Sequence, residues 1–216
     1  MRTKYIFFVA LLFTAITHST NAQDFVAGPL AGMSFSQVDG DFHAGYHKPG
    51  INIGGFVYRP ISENWDIQME IAYVQKGSRK KPDYDKNDIV DYEINLQYIQ
   101  IPLLAKFHYK SFSGEAGISI GSLLASEELW EESPLESDDV VAFKDMEYAT
   151  LFGINYHINK RLWVNARWSY SINRIRIPYD GEIPIYEPKK HWLSRKTGQY
   201  NNNVIVSVYF ALNQVL

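Results

Sequence analysis

The sequence predicts an all-β protein: an eight-stranded antiparallel up-and-down transmembrane β-barrel with short periplasmic turns and long extracellular loops. Three observations carry this. Apolar and polar residues alternate with period two over eight segments. The connections between those segments alternate strictly between short and long. Aromatic residues make up 15% of the chain, with 15 tyrosines, and cluster at the ends of the apolar faces, where aromatic girdles meet a membrane interface.

Residues 1–22 are read as a secretory signal and set apart from the fold. Arg2 and Lys4 form its basic end, and Tyr5 to Ile16 its apolar stretch. Thr20-Asn21-Ala22 places a small residue before Gln23. The apolar run is shorter than the roughly 20 residues a spanning helix needs. Residues 23–216 then form one outer-membrane β-barrel domain. Cysteine is absent, which removes disulfides and thiolate metal sites from consideration. A net charge of −3 gives no global field for nucleic acid. No long apolar helix follows the signal, so a membrane form has to cross with strands.

Two glycine-rich segments, Phe25 to Ser36 and Gly50 to Arg59, open the series. The third is the clearest: Trp65, Ile67, Met69, Ile71 and Tyr73 share one face, and Asp66, Gln68 and Glu70 the other. In the fourth, Ile99, Ile101, Leu103, Ala105, Phe107 and Tyr109 oppose Gln100, Lys106 and His108. Phe112, Ala116, Ile118 and Ile120 oppose Glu115 and Ser119 in the fifth. Tyr148, Phe152, Ile154, Tyr156 and Ile158 oppose Asn155 and His157 in the sixth. Leu162 through Ile172 sets Val164, Ala166, Trp168 and Tyr170 against Asn165, Arg167, Ser169 and Ser171. Val204, Val206, Val208 and Phe210 oppose Ser207 and Tyr209 in the last. Strict alternation of this kind marks a strand with different solvents on its two faces.

The segments 60–64, 110–111 and 159–161 read as short turns. The segments 38–49, 78–93, 126–146 and 173–199 read as long loops. Outer-membrane barrels keep short turns in the periplasm and long loops outside, whereas a soluble sandwich has no reason to sort its loops this way. Hydrocarbon leaves every backbone polar group dependent on an internal partner, so the sheet must close. Eight strands enclose an interior that side chains fill. The inward charges are expected to pair, because unpaired buried charge is costly. Lys106 and Arg167 should meet Glu70, Glu115 and Asp66.

Outside the barrel, His43 and His47 read as solvated loop residues rather than metal ligands. The third loop carries Glu127, Glu128, Glu131, Glu132, Glu136, Asp138, Asp139 and Asp145, with Trp130 and Phe143 among them. It lacks the spacing of a calcium loop. The fourth carries Arg174, Arg176, Lys189, Lys190, Arg195 and Lys196 beside Trp192. The two loops are expected to pack on each other; Glu127, Glu128, Trp130, Glu131, Glu132, Arg174, Arg176, Lys189, Lys190 and Trp192 are the candidate interaction surface. Asp83, Asp85, Asp88 and Asp91, set among Lys81 and Lys86, read as a solvated second loop. No nucleophile motif or phosphate loop is present. A Ser169–His157 pair is the one arrangement that could support hydrolysis, and interior hydrogen bonding is the preferred reading. No cofactor, metal or enzymatic activity is expected.

Several segments together resemble the PorT-like outer-membrane β-barrel family of Bacteroidetes. These are Ala22-Gln23, Gly28-Pro29-Leu30-Ala31-Gly32-Met33-Ser34-Phe35-Ser36, and Lys48-Pro49-Gly50-Ile51. Further along come Glu70-Ile71-Ala72-Tyr73-Val74-Gln75-Lys76-Gly77, Tyr98-Ile99-Gln100-Ile101-Pro102-Leu103-Leu104-Ala105-Lys106 and Glu115-Ala116-Gly117. The resemblance covers nearly all of residues 23–216. It implies an eight-stranded barrel in the bacterial outer membrane. One departure is the final aromatic, Phe210, which stands back from the terminus instead of ending the chain. The expected role is structural or interactive, with a filled polar lumen and loops that bind a partner. The expected surroundings are outer-membrane lipid and another outer-membrane or secretion-complex protein. The alternatives are an accessory of type IX secretion or gliding machinery, and a narrow transport pore.

Overall fold

The computed structural model describes residues 25–41, 45–82, 85, 91–131, 133–135, 141–177 and 198–213. The signal segment, His43, Glu132, Glu136, Asp138, Asp139, Lys189, Lys190, Trp192, Arg195 and Lys196 lie outside the described residues, as do Asp83, Lys86 and Asp88. Eight long strands form the barrel: β1 (Val26–Asp39), β2 (Lys48–Ser62), β3 (Trp65–Lys80), β4 (Tyr92–Tyr109), β5 (Phe112–Trp130), β7 (Met146–His157), β8 (Leu162–Ser171) and β9 (Tyr200–Phe210). A two-residue strand, β6 (Ser133–Pro134), caps the end of β5.

Every neighbouring pair is antiparallel. The order β4-β3-β2-β1-β9-β8-β7-β5 is closed by pairing of β4 with β5. A walk around the ring measures its stagger. It passes from Val74 to Asn52, Gly32, Ser207, Asn165, Asn155, Ser113 and His108. His108 N donates to Asn64 O, so the walk returns to the same edge ten residues lower (74 − 64 = 10). With eight strands this stagger tilts each strand by about 40°.

The outer face is a hydrocarbon surface. Met69, Leu103, Ile118 and Phe152 stand outward, each about half exposed. On β4 the lipid-facing run from Ile99 to Phe107 rises about 20 Å along the barrel axis at this tilt, in line with the apolar band of such barrels. Trp65 packs on Phe107 and Phe112 on Tyr156 at the short-turn end, each with ring centroids 5.1 Å apart. Tyr73, Tyr148, Trp168 and Tyr170 mark the other edge. There Tyr73 donates to Gln97 Oε1 at 3.0 Å and Trp168 Nε1 to Asn202 Oδ1 at 2.8 Å.

β3, β4 and β5 have 16, 18 and 19 residues, well beyond the roughly 9–11 that cross a bilayer. Their upper ends stand above the membrane, and chemistry shows where the solvent changes. Along β4 the even-numbered positions point inward throughout. Below Tyr98 the outward positions are apolar; above it they are Gln97, Asn95 and Glu93. The inward positions change in the opposite sense, to Tyr92, Ile94, Leu96 and Tyr98, which are all buried. They form an apolar cluster with Val38, Val74, Ile175 and Ile205. A second cluster of Val26, Leu30, Phe56, Trp163 and Tyr209 fills the lower lumen.

The long loops are therefore shorter than the sequence suggests. Glu127, Glu128 and Trp130 belong to β5, not to a loop, because they pair with Asn95, Ile94 and Tyr92. Their alternation was hidden by a register shift at Gln97/Tyr98, which leaves Leu124 without a partner on β4 and changes the phase. Likewise β3 continues past Gly77, whose φ of 143° brings its backbone against Ile94 O.

The boundary is testable by arginine scanning of the outer face. Leu103→Arg, near the middle of the apolar band, should destabilise the barrel by about 2–4 kcal/mol, and Gln97→Arg by no more than about 1 kcal/mol. Urea unfolding in lipid vesicles measures both; equal costs would misplace the membrane.

Candidate functional site

The candidate site is the charged lumen, because that is where the fold gathers ionisable side chains. β8 carries Arg167 inward, buried at 3% exposure. Its Nη1 and Nη2 each donate to one oxygen of Glu70 at 2.8 Å, and its Nε donates to Glu115 Oε1 at 2.6 Å. Glu70 lies on β3, four strands from β8 in either direction around the ring, so this bidentate pair spans the lumen. Glu115 is nearer. It is separated from Arg167 only by Gly153, which pairs with both. A Cβ at Gly153 would come within 2.7 Å of Glu115 Oε1; the missing side chain leaves room for the contact.

The remaining lone pairs are also used. Asn165 and Asn155 donate to the two oxygens of Glu115 at 2.9 and 3.0 Å. Tyr209 and Gln68 donate to Glu70 Oε1 at 3.0 and 2.5 Å. Lys106, opposite Glu115 across the β4–β5 ladder, has its Nζ 3.4 Å from Glu115 Oε2 and lies over the rings of Trp163 and Tyr209. Two cations thus face two carboxylates in the buried lumen. Buried charge is tolerated on these terms: paired, hydrogen-bonded and neutral as a group.

Asp66 departs from the expected pairing. Its Oδ2 lies 2.6 Å from His108 Nε2, at the periplasmic mouth, while Glu115 engages Lys106. His108 is two residues along β4 on the same inward face, which explains the exchange. His157 joins this lower group. Its ring is 5.3 Å from that of His108, and its Nε2 is 3.0 Å from Ser113 Oγ. His157 does not meet Ser169. His157 pairs with Trp163 and Ser169 with Leu151, a separation of six residues or about 20 Å along the strand.

A second ionic tier sits above the first. Lys76 Nζ contacts Glu147 Oε2 at 2.7 Å, both wholly buried. Gln100 and Asn201 donate to the two Glu147 oxygens at 3.0 and 3.1 Å, and Lys76 lies over the Tyr98 ring. The sequence reading missed this pair because both residues flank long loops, where charge reads as solvated. Their phase could have found them: Lys76 continues the inward series Asp66, Gln68, Glu70, and Glu147 the series Asn155, His157. Between the tiers lie Ser119, Ser169 and Asn203, buried and with polar side-chain atoms that have no protein partner. Groups so placed are ordinarily satisfied by ordered water.

At the top, one residue from each charged segment meets the other. Arg176 donates through Nη1 and Nη2 to Glu128 Oε2 at 2.9 and 2.8 Å. Tyr92 also donates to Glu128, and the Arg176 guanidinium lies 3.9 Å from the Phe143 ring centroid. Glu128 and Arg176 are consequently buried and turned inward. Trp130 and Arg174 are half-buried, while Glu127 and Glu131 are exposed. A cavity of about 260 Å³ lies beside Glu127, Leu135, Val141 and Phe143. Among the described residues no group of three or more His, Asp or Glu is arranged to hold a metal ion.

The family model described as outer membrane protein beta-barrel domain matches residues 21–176. The chain belongs to that family. As an outer membrane protein beta-barrel domain it resides in the bacterial outer membrane, with the short turns in the periplasm. It is similar in structure to Ail, the attachment invasion locus protein of Yersinia pestis, with 12% identity, 88% of this chain and 99% of that one covered, and a TM-score of 0.46. Neisserial surface protein A is similar at 10% identity, covering 86% and 95%, with a TM-score of 0.48. OprG from Pseudomonas aeruginosa is similar at 11% identity, covering 87% and 91%, with a TM-score of 0.35. No curated protein matches the chain in sequence.

Removing one member of the central network strands its partners. Arg167→Ala should cost about 3–5 kcal/mol, read as a fall in the urea midpoint in vesicles. Ser169→Ala, which removes no protein hydrogen bond of its hydroxyl, should change stability far less; similar losses would show that the network is not what the barrel interior rests on.

Proposed function

We propose that the protein is a sealed barrel with a structural and interaction role, whose working surface is its extracellular end. One observation carries the reading. The Arg167–Glu70 pair ties opposite walls of the lumen together, and it is backed above by Lys76–Glu147 and then by an apolar cluster. An ion moving through would have to break buried, fully engaged ion pairs and then cross an apolar plug. An eight-stranded interior has no width to spare for a bypass.

The extracellular end has the opposite character. The upper parts of β3, β4 and β5 form a raised sheet whose outward residues Asn95, Gln97 and Glu127 face water. The exposed Glu131 follows at its tip. This rim is the surface offered to a partner.

Single-channel recording in planar bilayers tests the seal. The wild-type barrel should show no discrete conductance, and Glu70→Ser/Arg167→Ser should show openings or raised leak. Robust conductance by the wild type would overturn the proposal. Co-purification from solubilised outer membrane tests the working surface: a stoichiometric partner should be retained, and should be lost on Glu127→Lys/Glu131→Lys.

A further inference from the structure

We propose that two adjacent periplasmic turns form a docking site for the phosphate headgroups of anionic phospholipid in the inner leaflet. The first turn is Lys110-Ser111, between β4 and β5. The second covers residues 158–161, between β7 and β8. They are neighbours because β5 pairs with β7: Phe112 is opposite Tyr156, and His157 N donates to Ser111 O at 2.8 Å. The pairing brings Lys110, Lys160 and Arg161 to one stretch of the rim, all exposed.

No acidic residue occurs in 109–112 or 156–162. Among the described residues at this end, Asp66 is engaged by His108 inside the mouth. Glu63, on the neighbouring β2–β3 turn, is the one exposed carboxylate there among the described residues, and it leaves the three turns with a net charge of +2 (three cations less one acid).

The backbone of the second turn is fixed around Arg161, and Lys110 is set by its own conformation and a ring contact, before any lipid arrives. Asn159 Oδ1 accepts from Arg161 N and Leu162 N at 2.8 and 2.9 Å, and Arg161 O accepts from Ala211 N at 2.8 Å. Lys110 adopts a φ of 55°, and its Nζ lies 5.3 Å from the Tyr109 ring centroid.

Their setting selects a lipid over a soluble polyanion. Tyr109, Phe112, Tyr156 and Ile158 stand beside them, each about half exposed or more. Tyrosines of this kind sit at headgroup depth. A phospholipid satisfies both parts, its phosphate meeting the cations and its chains the adjoining apolar residues. A free anionic polymer would meet only the cations.

The full-length barrel in nanodiscs of phosphatidylcholine with a minor fraction of phosphatidylglycerol provides the test, read by native mass spectrometry of retained lipid. The wild type should retain phosphatidylglycerol in preference to phosphatidylcholine. Each cation should contribute about fivefold, so Lys110→Gln/Lys160→Gln/Arg161→Gln should reduce that retention at least tenfold while still migrating as a folded barrel. Lys81→Gln/Lys144→Gln, at the opposite end, should leave it unchanged. Where the triple variant does not fold, Lys160→Gln alone should lower retention about fivefold. Absence of a phosphatidylglycerol preference in the wild type would overturn the proposal. So would undiminished retention in the folded variant, or binding of soluble peptidoglycan fragments in place of lipid.

Discussion

A peptide group in hydrocarbon has no water to bond to, and one left unpartnered costs several kcal/mol. That requirement shapes the whole molecule. The ladder between β4 and β5, which joins the two ends of the strand order, runs without a gap from Tyr109/Phe112 to Tyr92/Trp130, apart from one register shift. Closing the ring fixes the stagger and the tilt, and those fix which side chains face each other across the lumen. Glu70 and Arg167 are 97 positions apart in sequence; only the closed ring makes them partners.

Closure also inverts the usual arrangement of a folded protein. The apolar residues face outward over the width of the membrane, and the interior must be built from what remains. Packing so many polar groups together works because the charges balance and the amides of Asn155, Asn165 and Gln68 absorb the spare lone pairs. Where β3, β4 and β5 leave the membrane, the arrangement reverts to that of a soluble protein, with Ile94, Leu96 and Tyr98 inside and Glu93, Asn95 and Gln97 outside. The molecule is thus a membrane barrel that carries a small water-facing sheet on top, made from three of the same strands.

Much of this was legible in the residues. Period-two alternation in Trp65–Tyr73, Ile99–Tyr109, Phe112–Ile120 and Leu162–Ile172 pointed to the strands, their lipid face and the inward set that includes Glu70, Lys106, Glu115 and Arg167. What stayed hidden has physical causes. Lys76 and Glu147 adjoin segments that read as long loops, so their inward phase, though present, was overridden by the expectation that charge there is solvated. Glu128 sits beyond a register shift, which broke the alternation and made a strand look like an acidic loop. Asp66 is in phase with the network, but its choice of His108 over Lys106 depends on the height of each side chain in a tilted barrel, and that information is three-dimensional. Gly153 carries no pattern at all; its part in the site is the absence of a side chain between Glu115 and Arg167.

The central claim is that the lumen is filled and sealed, and the absence of cysteine from the chain allows a direct measurement. A single cysteine at Ser169, buried midway between the ionic tiers, can be compared with one at Asn64 in an exposed periplasmic turn. With the barrel reconstituted in vesicles and a small, charged thiol reagent present on both sides, Ser169→Cys should stay unmodified over the time in which Asn64→Cys reacts fully. Comparable labelling rates at the two positions would mean that the lumen is an open aqueous path and would contradict the account.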